Sequence, residues 1–163
     1  MGKFLQGEIV ISLSFSLPEP DSPWHGTWEG AKQGDPAGIT EMDLRYKHFG
    51  VNVEMVADDV EIISKRRFVT LVDLALSLSH AQRRILAGED AAFGFTESEE
   101  VIYLRVAGDL ASVSSSKRPW RVTVEREELA GAFSEFLREA HSRLTSEIPG
   151  LAANSVIQQL SPG

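Results

Sequence analysis

Hydrophobic and polar positions divide this chain into several stretches of period two and two longer stretches of period three to four. In residues 8–17, EIVISLSFSL, Ile9, Ile11, Leu13, Phe15 and Leu17 fall on one side, and Ser12, Ser14 and Ser16 on the other. Such alternation predicts a half-buried strand of an antiparallel sheet with one wet face. The serine row reads as that solvated face before it reads as a ligand groove. Met42, Leu44, Tyr46 and His48 alternate with charged neighbours, which predicts a strand over 39–48. Val51, Val53 and Met55 give the inward set of another. After a turn at Ala57-Asp58-Asp59, Val60, Ile62 and Ile63 return.

The period changes at Thr70. In TLVDLALSLSHAQRRILAG, Leu71, Leu74, Leu78, Ala81 and Ile85 form one buried stripe, which predicts a helix over about 70–87. Thr70 and Asp73 have the spacing of a capping box, Phe68 is placed to staple the helix start, and Gly88 stands where a left-handed C-cap falls. Asp73, Ser77, His80 and Arg84 make a polar row on another face. Period two then resumes at Phe93 and Phe95, over 101–106 and 110–114, and at Trp120, Val122 and Val124. Turns are predicted at 97–100, Gly108-Asp109 and 115–119. A second helix is predicted over about 127–147, with Leu129, Phe133, Phe136, Ala140 and Leu144 inward. One further helical turn begins at Asn154 or Ser155.

Each helix has a single apolar stripe and needs a sheet face to cover. The pattern therefore predicts an α+β fold, a curved antiparallel sheet with both helices packed on one side, in a single domain over 1–163. Residues 18–38 interrupt it. Pro18, Pro20, Pro23 and Pro36, with four glycines, argue against regular structure there. Two tryptophans, Trp24 and Trp28, imply that this loop docks on something: the protein's own sheet first, a partner second.

Composition narrows the classes. A chain of 163 residues can bury roughly 70% of its unfolded surface, so it needs no disulfide or metal. It has no cysteine, which excludes thiol nucleophiles and iron–sulfur sites. A net charge of −8 argues against nucleic acid or an anionic membrane as the main partner. The N-terminal apolar run alternates with serine and contains Glu8, so it reads as a strand and not a signal peptide, which with the cysteine count predicts a cytoplasmic protein. Arginine outnumbers lysine 11 to 5, in keeping with a GC-rich bacterial genome.

Candidate chemistry is sparse. His25, His48, His80 and His141 form no metal-ligand spacing, and no cofactor is implied. Asp73 lies two turns before His80, about 10.5 Å of rise, too far to orient it as a general base. Ser114 to Lys117 matches the letters S-x-x-K without the helix start that chemistry requires. Gly30-Ala31-Lys32 lacks a P-loop order. The acidic group Glu97, Glu99 and Glu100 reads as a solvated turn. Lys65, Arg66 and Arg67, and separately Lys117, Arg118 and Arg121, would form an anion site if the fold juxtaposed them.

The run VDLALSLSHAQRRILAGEDAAFGFTESEEVIYLRV, the following GDLASVSSS and the helix ELAGAFSEFLREA resemble small uncharacterised α+β proteins of actinobacteria. Those are similar in layout to the immunity proteins of polymorphic toxin systems. The resemblance covers about residues 68–148, brings no catalytic positions and implies a non-enzymatic role. The expectation is a protein-binding module of immunity or antitoxin type facing another, basic protein. Trp24, Trp28, Asp73, Ser77, His80 and Arg84 are the candidate partner-binding residues. The alternatives are a secretion-chaperone-like or scaffold homodimer, and a small-molecule binder or enzyme whose pocket between sheet and helices uses the His80 row with Tyr46 or His48.

Overall fold

A computed structural model describes residues 10–65 and 67–161, so Glu8, Ile9 and Arg66 lie outside the described residues. Strand β1 (Ile11–Ser16) alternates as its sequence requires, the serines exposed and Ile11, Leu13 and Phe15 turned inward. It pairs antiparallel with β2 (Gly50–Ala57), whose Val51, Val53, Met55 and Ala57 are buried. Asp58 and Asp59 take left-handed φ values of 49° and 65°, making a tight hairpin into β3 (Val60–Ile63). A short strand that the pattern did not reveal, β4 (Phe68–Thr70), pairs with the same edge of β2. β3 and β4 thus lie end to end along β2, interrupted at residues 64–67.

The second half forms a separate four-stranded meander of β5 (Ala91–Phe95), β6 (Ser98–Ala107), β7 (Leu110–Ser115) and β8 (Arg121–Glu125). The α+β class stands, but the strands divide between two antiparallel sheets where one was expected, and neither is closed or strongly curled. The two long helices, α3 (Leu71–Leu86) and α4 (Arg126–Glu147), pack on each other and serve both sheets. Phe133 of α4 meets Phe93 of the second sheet edge to face, and Phe136, one turn on, meets Phe15 of the first. A 22-residue helix is long enough to carry separate apolar groups for two sheets. Among the described residues, no helix is long and apolar enough to cross a membrane.

Two stretches depart from the pattern. Residues 39–48 contain a helix, α2 (Glu41–Tyr46), not a strand. The Thr40 hydroxyl accepts from Asp43 N at 3.3 Å and caps it, and of the alternating set Leu44 and His48 are buried while Met42 and Tyr46 are exposed. Residues 18–38 are also helical in short pieces: 3-10 turns at Pro23–His25, Gly30–Lys32 and Pro36–Gly38 surround α1 (Gly26–Glu29). Pro23 and Pro36 start their turns behind the caps Ser22 and Asp35, a position where a missing N–H costs nothing. The C-terminal end holds the far side of this segment. Asn154, 1% exposed, donates to the carbonyls of Pro36, Ala37 and Ile39, while its side-chain oxygen caps α5 (Ser155–Gln158).

Candidate functional site

The six residues singled out for partner binding are not gathered in one place. Trp28 is 4% exposed, donates its indole N–H to the Gly50 carbonyl at 2.9 Å and packs edge to face on Phe49. Trp24 stacks flat on Phe68 with centroids 5.0 Å apart. Thr27, between them, accepts the amides of Phe49 and Gly50 and lies 3.3 Å from His48 Nδ1. Both tryptophans therefore dock on the protein's own first sheet, and Phe68, expected to staple α3, is the anchor of Trp24.

Asp73 is occupied too, and the capping box does not form. The Thr70 side chain makes no cap bond, and the Asp73 carboxylate takes Arg45 at 2.7 Å and the Thr96 hydroxyl at 2.9 Å. Arg84, at the other end of α3, donates to the Asp90 carbonyl and pairs with Glu89, while Ser77 is half-buried and His80 exposed between them. Gly88 does adopt the left-handed conformation, with φ 79°. Burial lowers the His48 pKa, with the nearby Lys47 charge adding to it. Tyr46, by contrast, is exposed.

A charged cluster of a different kind sits where the sheets meet. Strand β6 begins at Ser98, so Glu99 and Glu100 belong to a strand and not to a turn. Glu100 has the parity of Ile102 and Leu104, and that parity faces the interior. It is 3% exposed, a cost that an ionised carboxylate bears only when paired. Its partners come from the other sheet and from the β7–β8 turn. Arg67, in the interruption between β3 and β4, passes over the Phe95 ring at 4.3 Å and donates to Oε1 at 2.8 Å. The Ser115 hydroxyl donates to Oε2 at 2.6 Å, and Arg118 Nε stands 3.7 Å off. Burial alone would raise the Glu100 pKa, but the Ser115 and Arg67 hydrogen bonds and the two guanidinium charges outweigh it and hold it below its ordinary value.

This cluster borders a cleft of about 540 Å³ between the sheets, lined by Asp59, Val60, Glu61, Ile62, Arg118 and Trp120 among others. Two of its donors, Arg67 Nη1 and Trp120 Nε1, are buried without a hydrogen-bond partner among the described residues. A buried donor left unmade costs about 1–3 kcal/mol. The two basic groups of the sequence do meet here, through Arg67 and Arg118, although around a carboxylate. Glu100 was the residue missed, and its signal was its place in the 100, 102, 104 series.

Chemically, the groups of this cluster are engaged with one another. Glu100, kept ionised and doubly hydrogen-bonded, is unsuited to proton transfer near neutral pH. Ser115 accepts the backbone amides of Lys117 and Arg118 while donating to Glu100, so it shapes the turn and is not poised as a nucleophile. No cluster of histidine and acidic side chains among the described residues could hold a metal ion. Lys32, in the glycine-rich stretch, pairs with Glu29. The exposed serines Ser14 and Ser16 border a second, shallow hollow of about 470 Å³ on the outer face of the first sheet. No protein-family model, curated protein or solved structure shows a significant match to this chain.

Proposed function

We propose that this chain is a non-catalytic protein-binding module, and that the cleft between its sheets is where the partner docks. One observation carries the reading: Asp59, Val60, Glu61 and Ile62, four consecutive residues, line the cleft. Successive side chains of a strand point to opposite faces, so a consecutive run bordering one space is in keeping with an open strand edge. β3 pairs with β2 on one side only, and its other edge carries unmatched backbone donors and acceptors. An extended segment of another protein, added alongside β3, would satisfy them and seat alternate side chains against Val60, Ile62 and Trp120. The acidic hairpin of Asp58 and Asp59, with Glu61 and the net charge of −8, favours a partner with basic residues flanking that segment and speeds its association. In its narrower form this is the immunity-type inhibitor, occupying one basic partner.

Copurification from the native host tests the reading with two variants. The unaltered chain is expected to retain one basic protein in stoichiometric amount. Val60→Asp in the cleft loses it, and His80→Glu on the exposed face of α3 keeps it. A stable homodimer with no other partner would replace the reading with the scaffold alternative. Retention of the partner by Val60→Asp would place binding elsewhere and overturn it.

A further inference from the structure

The donors gathered around Glu100 outnumber its two oxygens. Both oxygens of Glu100 are used, one by Arg67 Nη2 and the other by the Ser115 hydroxyl. Arg118 is therefore left over. Its guanidinium is 60% exposed, makes no side-chain hydrogen bond among the described residues and is held only by the 3.7 Å approach to Glu100. Arg67 and Trp120, which line the same cleft, carry two N–H groups without a partner among the described residues, Arg67 Nη1 and Trp120 Nε1. A planar fork with five donors, and an indole N–H without a partner in the same cleft, are what a second carboxylate would complete.

We infer that the cleft recognises a carboxylate, the free C-terminus of the extended segment that docks along β3. This rests on the edge-strand reading and names the group that ends the docked strand. Charge and lining select a carboxylate over a phosphate. Asp59, Glu61 and Glu100 outnumber Arg67 and Arg118 by one charge in the cleft, so a dianion is opposed about twice as strongly as the monoanion that the Arg118 fork would pair. Val60, Ile62 and Trp120 supply apolar surface for the hydrocarbon that a peptide terminus brings and inorganic phosphate lacks. The geometry also fixes a direction: the segment must run along β3 so that its last residue reaches the β7–β8 turn, where Arg118 and Trp120 stand.

Indole resonances read this directly. The chain has three tryptophans, so its ¹⁵N-labelled spectrum holds three indole N–H signals, and Trp120→Phe assigns the one of interest. The probes are the acetylated pentapeptide Lys-Thr-Val-Thr-Val as free acid, the same peptide as carboxamide, and inorganic phosphate. The free acid is expected to shift the Trp120 signal saturably and to bind at least about tenfold more tightly than the carboxamide. Arg118→Gln, at an exposed position, is expected to abolish that preference while leaving the β3 amide signals dispersed as in the folded chain. Equal binding of acid and carboxamide, with β3 amides shifting, would overturn carboxylate recognition and leave the edge-strand reading standing. A preference for acid that survives Arg118→Gln, or phosphate binding as tightly as the acid, would overturn it as well. No shift at Trp120 or β3 with any peptide, while the partner still copurifies, would sink both.

Discussion

Gly50 shows how tightly single residues are specified. A Cβ there would stand 2.3 Å from Trp24 Cε3, on the side of the ring that faces β2. Trp24 is already fixed from its other neighbour by the stack on Phe68, so it has no room to retreat. Gly50→Ala is expected to cost about 1–3 kcal/mol, the usual range for overpacking, as a lower urea midpoint at unchanged slope. Phe49, next to it, holds a left-handed φ of 66°, rare for a bulky residue. It is kept there by its amide bond to the Thr27 carbonyl, by Leu71 N donating to its own carbonyl, and by the Trp28 ring. Alternation carries no information about such positions, because what fixes them is contact with residues more than twenty places away.

Among the elements, the interruption between β3 and β4 does the most. Were the strand continuous, residue 67 would simply add to the edge of the first sheet; the break instead sends Arg67 across to the second sheet. The Arg67–Glu100 bridge then joins two sheets that share no strand pairing. Removing either partner strands the other in a buried position, so Glu100→Leu alone is expected to lose about 3 kcal/mol. Arg67→Met with Glu100→Leu together is expected to cost far less than the two singles added, measured by a double-mutant denaturation cycle. Additive losses would show that the pair is not coupled. The elements themselves were largely legible: seven of the strands and both long helices follow from periodicity, since each buries one face. The stretches at 39–48 and 18–38 were not, because a capping threonine and two turn-starting prolines act through backbone donors that hydropathy does not register. The partner-binding candidates were drawn from exposure-blind patterns, and the fold uses Trp24, Trp28 and Asp73 internally. The cleft escaped notice because it combines residues from three distant segments.

For the whole molecule, the buried titratable groups set a direction for acid stability. The His48 pKa is lowered in the fold, so below its ordinary 6.5 the unfolded chain binds a proton that the folded chain resists. Glu100, also lowered, adds a second loss once pH falls below its ordinary 4.5. Glu97, an exposed residue, works the other way: partial desolvation of its carboxyl, then the Asp73 charge, raises its pKa, so its protonation as pH falls relieves the fold slightly. Stability is therefore expected to decline between about pH 7 and 5 and then more steeply toward pH 3, followed as the urea midpoint across that range. His48→Gln should flatten the first decline and leave the second. A midpoint indifferent to pH above 5 in the unaltered chain would contradict the His48 assignment.

The Asn154 clamp has a consequence for synthesis. Its carbonyl partners at Pro36, Ala37 and Ile39 precede it by 115 to 118 residues. At ribosomal rates the earlier segment waits roughly ten seconds before the side chain that secures it has been made. During that interval the carbonyls of the turn at 36–39 have only the local bond from Ile39 N to Pro36, and closing so long a loop carries one of the larger entropic costs in the fold. A protease acting on the nascent chain would find its opening there, and that opening shuts only when Asn154 has emerged and docked.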